Sequence, residues 1–403
     1  MADHVKEILF LASSAYACLT SVPFNGAVAT RFLQYYNDTI QFHTTSAYLR
    51  NPPASYQQPS VDLFRRLDQL QQDIDDSAFP NQYAFEATLQ NLIYSAHDGH
   101  LQLVAGVLAA FTFFNPVGIV SVSTDGKQLP KVYITNDLIE SQGDDLSWEA
   151  SAISLINGQS TADYLAQFAA LNSIGGLEPH ADWNQLMSSP ALVIQNAFSI
   201  FEGYTTFYPG DNITFTFENG TALTEPWLAI YNDPGDTGPL STGGDFYNFF
   251  VLGLYPDSYN LGGGSKSGSA ASSSEPTSAA STSDTSSLST PTATPTPTGW
   301  VNRAYPQTAD VVQRDLGFGG VVTGYFLQDV SIGVLSIPSF QAYGDAVADF
   351  SNVVTEFLQR SKEAGLKTIL VDLQQNSGGN TLLAFDLFKQ VGSDKDCGAI
   401  SAC

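Results

Sequence analysis

Two adjacent glycines near the C-terminus lie between a strand-like segment and a helix-like segment. Residues 368–373 are mostly apolar and β-branched, and the turn Asn376-Ser377-Gly378-Gly379-Asn380 follows two residues later. Residues 382–390 then have a helical pattern. Because glycine adopts positive φ and permits close backbone approach, such a turn can present bare N–H groups to a developing oxyanion. The pattern indicates acyl-transfer chemistry; the alternative is an ordinary strand-to-helix turn.

The glycine turn carries hydroxyl and carboxyl groups that could take part in such a reaction. Ser377 and Thr381 are the hydroxyls nearest to the glycines, and the turn lacks the Gly-x-Ser-x-Gly pattern of a nucleophile elbow. Asp372 stands near the end of the predicted strand. A carboxylate pair of Asp372 with Asp98 stays an open alternative, with no pattern that places the two together.

A candidate general base, His100, lies far upstream. A predicted helix with apolar residues at helical spacing ends before Asp98-Gly99-His100, where Gly99 suits the left-handed position that follows a helix. The helix dipole favours the imidazolium that a base becomes when it accepts a proton, and Asp98 could orient the ring. The alternative is a capping or structural histidine. His97 competes as the base but lies inside the helix pattern.

The periodicity of the chain predicts a scaffold in three parts. The first part, up to about residue 115, is mainly helical, with Val28, Phe32 and Tyr36 on one helix face. Residues 116–240 change to short strands that form a mixed, β-rich module. Near the C-terminus, strand, helix and strand follow one another, which implies a parallel pair with a right-handed crossover.

Composition and charge exclude several classes of partner. The chain has 403 residues, with 40 acidic and 15 basic side chains and a formal charge of −25. This charge is unsuited to nucleic acid and to anionic membrane surfaces. Residues 101–122 are strongly apolar but interrupted by polar residues and a proline. We therefore predict buried strands broken by a turn there, with no membrane insertion.

A low-complexity segment marks the clearest domain boundary. Residues 262–299 consist almost entirely of Ser, Thr, Ala, Gly and Pro, and such a composition buries too little apolar surface to fold. We predict a disordered linker there, preceded by a connecting segment, residues 241–261, and followed by a last domain, residues 300–403. Cys397 and Cys403 could close a small loop in that domain, which leaves Cys18 over, and no zinc-ligand spacing occurs.

The linker and the glycosylation sequons favour a secreted glycoprotein. The linker resembles an O-glycosylated, mucin-like spacer, and N-glycosylation sequons begin at Asn37, Asn212 and Asn219. The first residues do not resemble a signal peptide. We nevertheless expect a secretory-pathway or extracellular location, and we expect that the start of the chain is missing.

The order of several segments resembles the tail-specific protease family, serine peptidase family forty-one (S41). The C-terminal segments are residues 332–340, a helix, residues 369–373 and the motif Asn376-x-Gly378-Gly379. Further upstream, residues 18–24, 51–53, 96–100 and 121–126 resemble the fungal secreted branch of this family, which is similar to the chlamydial protease-like activity factor. The resemblance covers nearly all of the chain except the linker.

The resemblance implies an α/β, multi-domain α+β architecture. A helical N-terminal region, residues 1–115, would precede a PDZ-like β-rich module, residues 116–240, and a partial crotonase-like ββα serine-protease domain, residues 300–403. It implies His100 as the base and Gly378 and Gly379 as the oxyanion hole, with no metal or organic cofactor. The PDZ-like module would bind a polypeptide substrate or a peptide C-terminus. Oligomeric state is not indicated.

The position that follows the glycine pair departs from the family pattern. The nucleophilic serine of the chlamydial relative directly follows the two glycines, where this chain has Asn380. Asn380 cannot be the nucleophile, but as a catalytic-site residue it could donate a hydrogen bond to the oxyanion. The nucleophile therefore stays open between Ser377, Thr381 and a residue beyond Cys403. We expect a serine-type endopeptidase in an incomplete, C-terminally truncated copy. The alternatives are an inactive pseudoprotease that acts as a peptide-binding or scaffold protein, and a different hydrolase on the same scaffold.

Overall fold

The computed structural model describes residues 8–103, 106–123, 125, 127–141, 149–195, 197–232, 240–254, 309–314, 320–342, 344–376 and 378–392. The predicted linker, Ser377, Cys397 and Cys403 lie outside these described residues.

The described part of the chain contains both helices and strands, with consecutive helices near the N-terminus and runs of consecutive strands later on. The α-helices are α1 (Ala12–Thr20), α2 (Gly26–Ile40), α3 (Ser46–Arg50), α4 (Leu63–Asp75), α5 (Gln82–Tyr94), α6 (Thr135–Glu140), α7 (Thr161–Asn172), α8 (Pro179–Gln185), α9 (Pro190–Val193), α10 (Ile200–Gly203), α11 (Gly243–Phe246), α12 (Asp345–Glu363) and α13 (Thr381–Gly392). The strands are β1 (Leu9–Leu11), β2 (Phe111–Phe114), β3 (Ile119–Val122), β4 (Lys131–Ile134), β5 (Ile153–Ile156), β6 (Gln159–Ser160), β7 (Asn212–Phe217), β8 (Ala222–Pro226), β9 (Leu228–Tyr231), β10 (Val311–Val312), β11 (Thr323–Leu327), β12 (Ile332–Ser336) and β13 (Thr368–Asp372).

The N-terminal part is mainly helical, as predicted. Helices α2, α4 and α5 share one apolar core. Each of the three begins at an Asn or Asp whose side chain accepts a hydrogen bond from a backbone N–H of the first turn, the usual N-cap arrangement. The predicted helix face on α2 is only partly right, because Tyr36 is buried but Val28 and Phe32 lie half-buried at its edge.

The end of α5 differs from the prediction. The helix stops at Tyr94, and His97 adopts the left-handed conformation with φ of 49°. The expectation that Gly99 takes the left-handed position was therefore wrong, and so was the placement of His97 inside the helix. The Asp98 side chain closes the following turn by accepting the His100 backbone N–H at 2.9 Å, so this turn does not need a left-handed glycine.

The β-rich part contains the strands that the sequence predicted. Four strands form an antiparallel sheet in the order β6-β5-β7-β8, and β3 pairs with β4. Asn157 and Gly158 both have positive φ at the turn between β5 and β6. Helix α7 packs on this sheet, and the shared core contains Phe201, Phe215 and Trp227.

The apolar residues 101–122 form two strands rather than one helix. A 3₁₀ turn, Gly106–Ala109, leads into β2, and β3 follows after Asn115 and Pro116. This confirms the prediction of buried strands broken by a turn. In the part of the chain that the structure describes, no helix is long and apolar enough to cross a membrane. Strand β9 pairs with both β2 and β1, a long-range pairing that no local pattern predicts.

The C-terminal part is a four-stranded sheet in the order β10-β11-β12-β13. Strands β12 and β13 are parallel, and α12 connects them, which confirms the predicted strand–helix–strand unit. Helix α12 covers the sheet with Phe350, Val354 and Phe357, all of which are buried. The glycine turn leads from β13 into α13, and α13 packs beside α12, where Ser351 Oγ donates to Asp386 Oδ2 at 2.8 Å.

Candidate active site

The glycine turn is held against the segment that follows β12. The Phe340 N–H donates to the Gly378 carbonyl at 2.9 Å, and the Asn380 N–H donates to the Phe340 carbonyl at 2.8 Å. Phe340 and Gly379 thereby form a parallel bridge beyond the ends of β12 and β13. The turn thus lies at the carboxyl edge of the parallel strand pair.

Both glycines adopt positive φ, as the sequence predicted. The φ angles are 97° at Gly378 and 130° at Gly379. A Cβ atom at Gly379 would lie 2.6 Å from the Phe340 carbonyl oxygen, whereas one at Gly378 would meet no atom within 4 Å. Gly379 is therefore required by both conformation and space, and Gly378 by conformation alone.

Asn376 fixes the turn from inside. Its Nδ2 donates to the Ile337 carbonyl at 2.8 Å, and its Oδ1 accepts the Gly378 N–H at 2.8 Å. The Gly378 N–H is thus already paired. The Gly379 N–H has no hydrogen-bond partner among the described residues. Of the two predicted oxyanion donors, Gly379 is therefore the one whose N–H is free.

Asn380 is the N-cap of α13. Its Oδ1 accepts the Leu382 N–H at 3.0 Å, and its carbonyl accepts the Leu383 N–H at 3.0 Å. Asparagine is among the best N-cap residues, so the local structure accounts for its side chain at this position. The signal was present in the sequence, because a polar residue stands directly before an apolar helix.

The other predicted residues of this region have separate places. Asp372 ends β13, and its Oδ1 accepts the Gln374 N–H at 2.9 Å, which starts the turn. Ser377 lies outside the described residues. Thr381 is the first residue of α13 and is exposed. The structure therefore leaves Thr381 accessible beside the glycines.

His100 and Asp98 form the contact that the sequence predicted. His100 Nδ1 lies 3.0 Å from Asp98 Oδ1, and the imidazole is 99% exposed. Burial alone would raise the pKa of Asp98. The hydrogen bonds from the His100 backbone and ring and the nearby His43 ring outweigh burial and hold the pKa below its usual value. Asp98 is therefore an anion at neutral pH that binds the Nδ1 edge of His100 and leaves Nε2 facing solvent.

His97, the competing candidate base, is buried. Its Nδ1 lies 3.5 Å from Asp182 Oδ2, a distance of an ion pair rather than of a short hydrogen bond. Burial would raise the pKa of Asp182, but bonds from His97, Ser173 and the Gly176 backbone together lower it. Because its side chain is enclosed, His97 suits a structural contact with Asp182 better than proton transfer to a substrate.

One hydrogen bond ties the glycine turn to the β-rich part. Gln375 Nε2 donates to the Asn184 carbonyl at 2.8 Å, and Asn184 lies on α8, the helix that carries Asp182. Within the described ranges, no hydrogen bond or ion pair joins His100 to Gly378 or Gly379. Among the described residues, the His100–Asp98 pair and the glycine turn are therefore two separate groups that no direct hydrogen bond or ion pair from His100 connects.

Other chemically reactive groups fit a site less well. An apolar cavity of about 330 Å³ is lined by residues that include Phe111, Phe246 and Cys18. Burial raises the pKa of the Cys18 thiol, which disfavours the nucleophilic thiolate. Across the described residues, no group of three or more His, Cys, Asp or Glu side chains could hold a metal ion.

Several known proteins are similar to this chain. Residues 112–236 match the family model of the CPAF-like PDZ domain. The peptidase S41 family protein phomP1' of Diaporthe leptostromiformis is 29% identical over 349 residues, which are 85% of this chain and 48% of that protein. Its counterpart phomP1 is 28% identical over 349 residues. The peptidase S41 family protein ustP of Aspergillus flavus is 32% identical over 77 residues, 18% of this chain and 16% of that protein.

These matches show that the chain is related to the peptidase S41 family, as the resemblance implied. They also show that its β-rich part contains a PDZ-like domain. The chain spans about half the length of the two Diaporthe relatives.

Proposed function

We propose that this protein is a serine-type endopeptidase whose site combines His100 with the Gly378–Gly379 turn. The observation that carries the proposal is the turn itself. It lies at the end of a parallel strand pair, has a Gly379 N–H without a hydrogen-bond partner among the described residues, and leads directly into a helix N-terminus. Relatives that match 85% of the chain are named peptidase S41 family proteins, which supports the same chemistry.

In the proposed reaction, a hydroxyl beside the glycines attacks the substrate carbonyl. Ser377 and Thr381 are the candidates, because Asn380 carries no hydroxyl and caps α13. The His100 Nε2 accepts the hydroxyl proton and then delivers it to the leaving amine. Water hydrolyses the acyl-enzyme with the same histidine as base. Asp98 holds the Nδ1 side of the ring and stabilises the imidazolium.

The oxyanion of the tetrahedral intermediate would lie against the Gly379 N–H. The positive end of the α13 dipole adds to this stabilisation. His100 must approach the turn for proton transfer, and its exposed ring leaves Nε2 open to a substrate or a hydroxyl. Catalytic contacts are often long before substrate binds, so the separation of the two pieces is compatible with the proposal.

We further propose that the PDZ-like domain binds an extended segment of the polypeptide substrate by strand addition. The sequons at Asn212 and Asn219 fall on exposed residues, which supports the proposal of a secreted glycoprotein. In the Asn219 turn, the Thr221 hydroxyl donates to Asn219 Oδ1 at 2.7 Å.

Reaction with a fluorophosphonate probe tests the proposed activity. The wild-type chain should be labelled, and His100→Ala should abolish labelling because the hydroxyl loses its base. His180→Ala removes another exposed histidine and should leave labelling unchanged. No labelling of the wild type at any probe concentration would overturn the peptidase proposal and leave peptide binding by the PDZ-like domain as the function to examine.

A further inference from the structure

The Asp98 carboxylate is shared by two histidines. Its Oδ1 accepts hydrogen bonds from the His100 backbone N–H at 2.9 Å and contacts His100 Nδ1 at 3.0 Å. Its other oxygen, Oδ2, lies 3.6 Å from His43 Nε2. The sequence gives no hint of this arrangement, because His43 is 55 positions from Asp98 and belongs to no recognisable motif.

The three side chains differ sharply in exposure. The side chain of His43 is 13% exposed, that of Asp98 is 20% exposed and that of His100 is 99% exposed. His43 and Asp98, which lie closest to the interior, therefore have the least freedom to move. An exposed imidazole by itself would sample many orientations, so the orientation of His100 depends on how firmly Asp98 is held.

His43 is itself fixed by its neighbours. The Thr45 hydroxyl lies 2.7 Å from His43 Nε2, and the Ser46 hydroxyl donates to the His43 carbonyl at 2.9 Å, just before α3 begins. Thr45 and Ser46 thus hold the imidazole in place, and its Nε2 lies 3.6 Å from the Asp98 carboxylate, a contact longer than a hydrogen bond.

We infer that His43 is a positioning residue for His100 and acts through the Asp98 carboxylate that the two histidines share. This inference rests on the proposed function for its catalytic meaning. Tyr56 is the other titratable group that faces the pair; burial raises the pKa of its hydroxyl, and the charges of Asp182 and Asp98 add to that effect. Within the described residues, no lysine or arginine forms an ion pair with Asp98. Among the described residues, His43 and His100 are therefore the two side chains in ion-pair range of the Asp98 carboxylate, and His43 is the more buried one.

The tautomer of the His100 ring tests this inference without any need for activity. In the full chain at a pH where histidines are neutral, ¹⁵N NMR should show His100 mainly with hydrogen on Nδ1, because Asp98 accepts there. In His43→Phe, Asp98 loses its inner partner, and the excess of this tautomer should be lost. In His43→Gln, the amide Nε2 occupies the place of the imidazole Nε2 and should restore it.

Two further variants keep the test decisive. Asp98→Ala must abolish the tautomer preference, which shows that the signal reports the contact. Thr45→Val removes only the hydroxyl beside His43 and should reduce the preference partly, even if His43→Phe does not fold. An unchanged His100 tautomer in both His43→Phe and Thr45→Val, alongside its loss in Asp98→Ala, would overturn the inference.

The tautomer test of His43 and the labelling test of the peptidase proposal can fail independently. If the tautomer follows His43 as expected but the fluorophosphonate probe never reacts, the peptidase proposal fails and the positioning contact stands. If the probe reacts in a His100-dependent way but the tautomer ignores His43, only the inference about His43 fails.

Discussion

Glu86 is a buried carboxylic acid whose charge the surrounding core accommodates poorly. It lies on α5 with 4% of its surface exposed, and it accepts hydrogen bonds from Gln82 Nε2 at 2.8 Å and from the Val107 N–H at 2.7 Å. Burial raises its pKa to about 7, and these hydrogen bonds offset only part of that effect. Neutral Glu86 is therefore favoured in the folded protein over a wider pH range than in the unfolded chain.

We predict that the free energy of unfolding falls between about pH 4.5 and pH 7 because of Glu86. The folded state keeps a proton that the unfolded state has lost, so this contribution is fully present below pH 4.5 and is lost as pH rises through 7. The raised pKa corresponds to about 3 kcal/mol. Urea unfolding of Glu86→Gln should show a flatter pH dependence than wild type. Glu149→Gln, an exposed control, should follow the wild-type curve; identical curves for all three proteins would contradict the prediction.

Substitutions of Asn380 should change the free energy of unfolding according to whether the new side chain can cap α13. Because its side chain caps α13, Asn380→Ala should lower the free energy of unfolding by about 1 kcal/mol, whereas Asn380→Ser should keep it near the wild-type value. Denaturant unfolding of the two variants measures the difference. Equal losses of unfolding free energy in the two variants would show that the side-chain cap does not stabilise the protein.

At the scale of elements, the glycine turn depends on its two glycines to different extents. Gly378→Ala introduces only backbone strain, of about 1–3 kcal/mol. Gly379→Ala adds a clash with the Phe340 carbonyl and should break the Phe340–Gly379 bridge, at a total cost of about 2–5 kcal/mol. The two variants serve as matched controls in urea unfolding. A smaller loss for Gly379→Ala than for Gly378→Ala would rule out the described turn geometry.

Elements with strong local periodicity were predictable from the sequence. The strand–helix–strand unit around α12 and the strands of the β-rich part are confirmed, because their apolar spacing specifies both type and position. The positive φ of Gly378 and Gly379 also followed from residue type. The end of α5 did not, because His97 takes the left-handed position and its buried ring lies 3.5 Å from Asp182, 85 residues away, a contact that no local pattern contains.

Long-range contacts account for what the sequence could not predict in the candidate site. The Asp98–His100 contact lies within three residues and was foreseen. By contrast, the approach of His43 to Asp98, the Asn376 bond to Ile337 and the tie from Gln375 to Asn184 all depend on how distant segments meet. No periodicity of 2.0 or 3.6 residues contains that information.

At the scale of the whole molecule, the exposed face of α13 should promote self-association. Leu382, Phe385 and Phe388 are spaced three residues apart on one side of the helix, and Phe388 is 70% exposed. The formal charge of −25 opposes association, and salt screens that repulsion. Light scattering should therefore increase with salt for wild type and less for Phe388→Glu. The control Leu129→Glu introduces the same charge at an isolated exposed leucine and should have a smaller effect than Phe388→Glu; equal effects would contradict a role for this face.

At the scale of the whole molecule, the proposed peptidase combines three parts: the His100–Asp98 pair, the glycine turn and the PDZ-like domain. Mapping of the fluorophosphonate adduct by peptide mass spectrometry tests this most directly. We predict a His100-dependent adduct on Ser377 or Thr381 in the wild-type chain. A wild-type chain without an adduct in residues 376–381, under conditions in which Asn380→Ser is labelled at position 380, would contradict it.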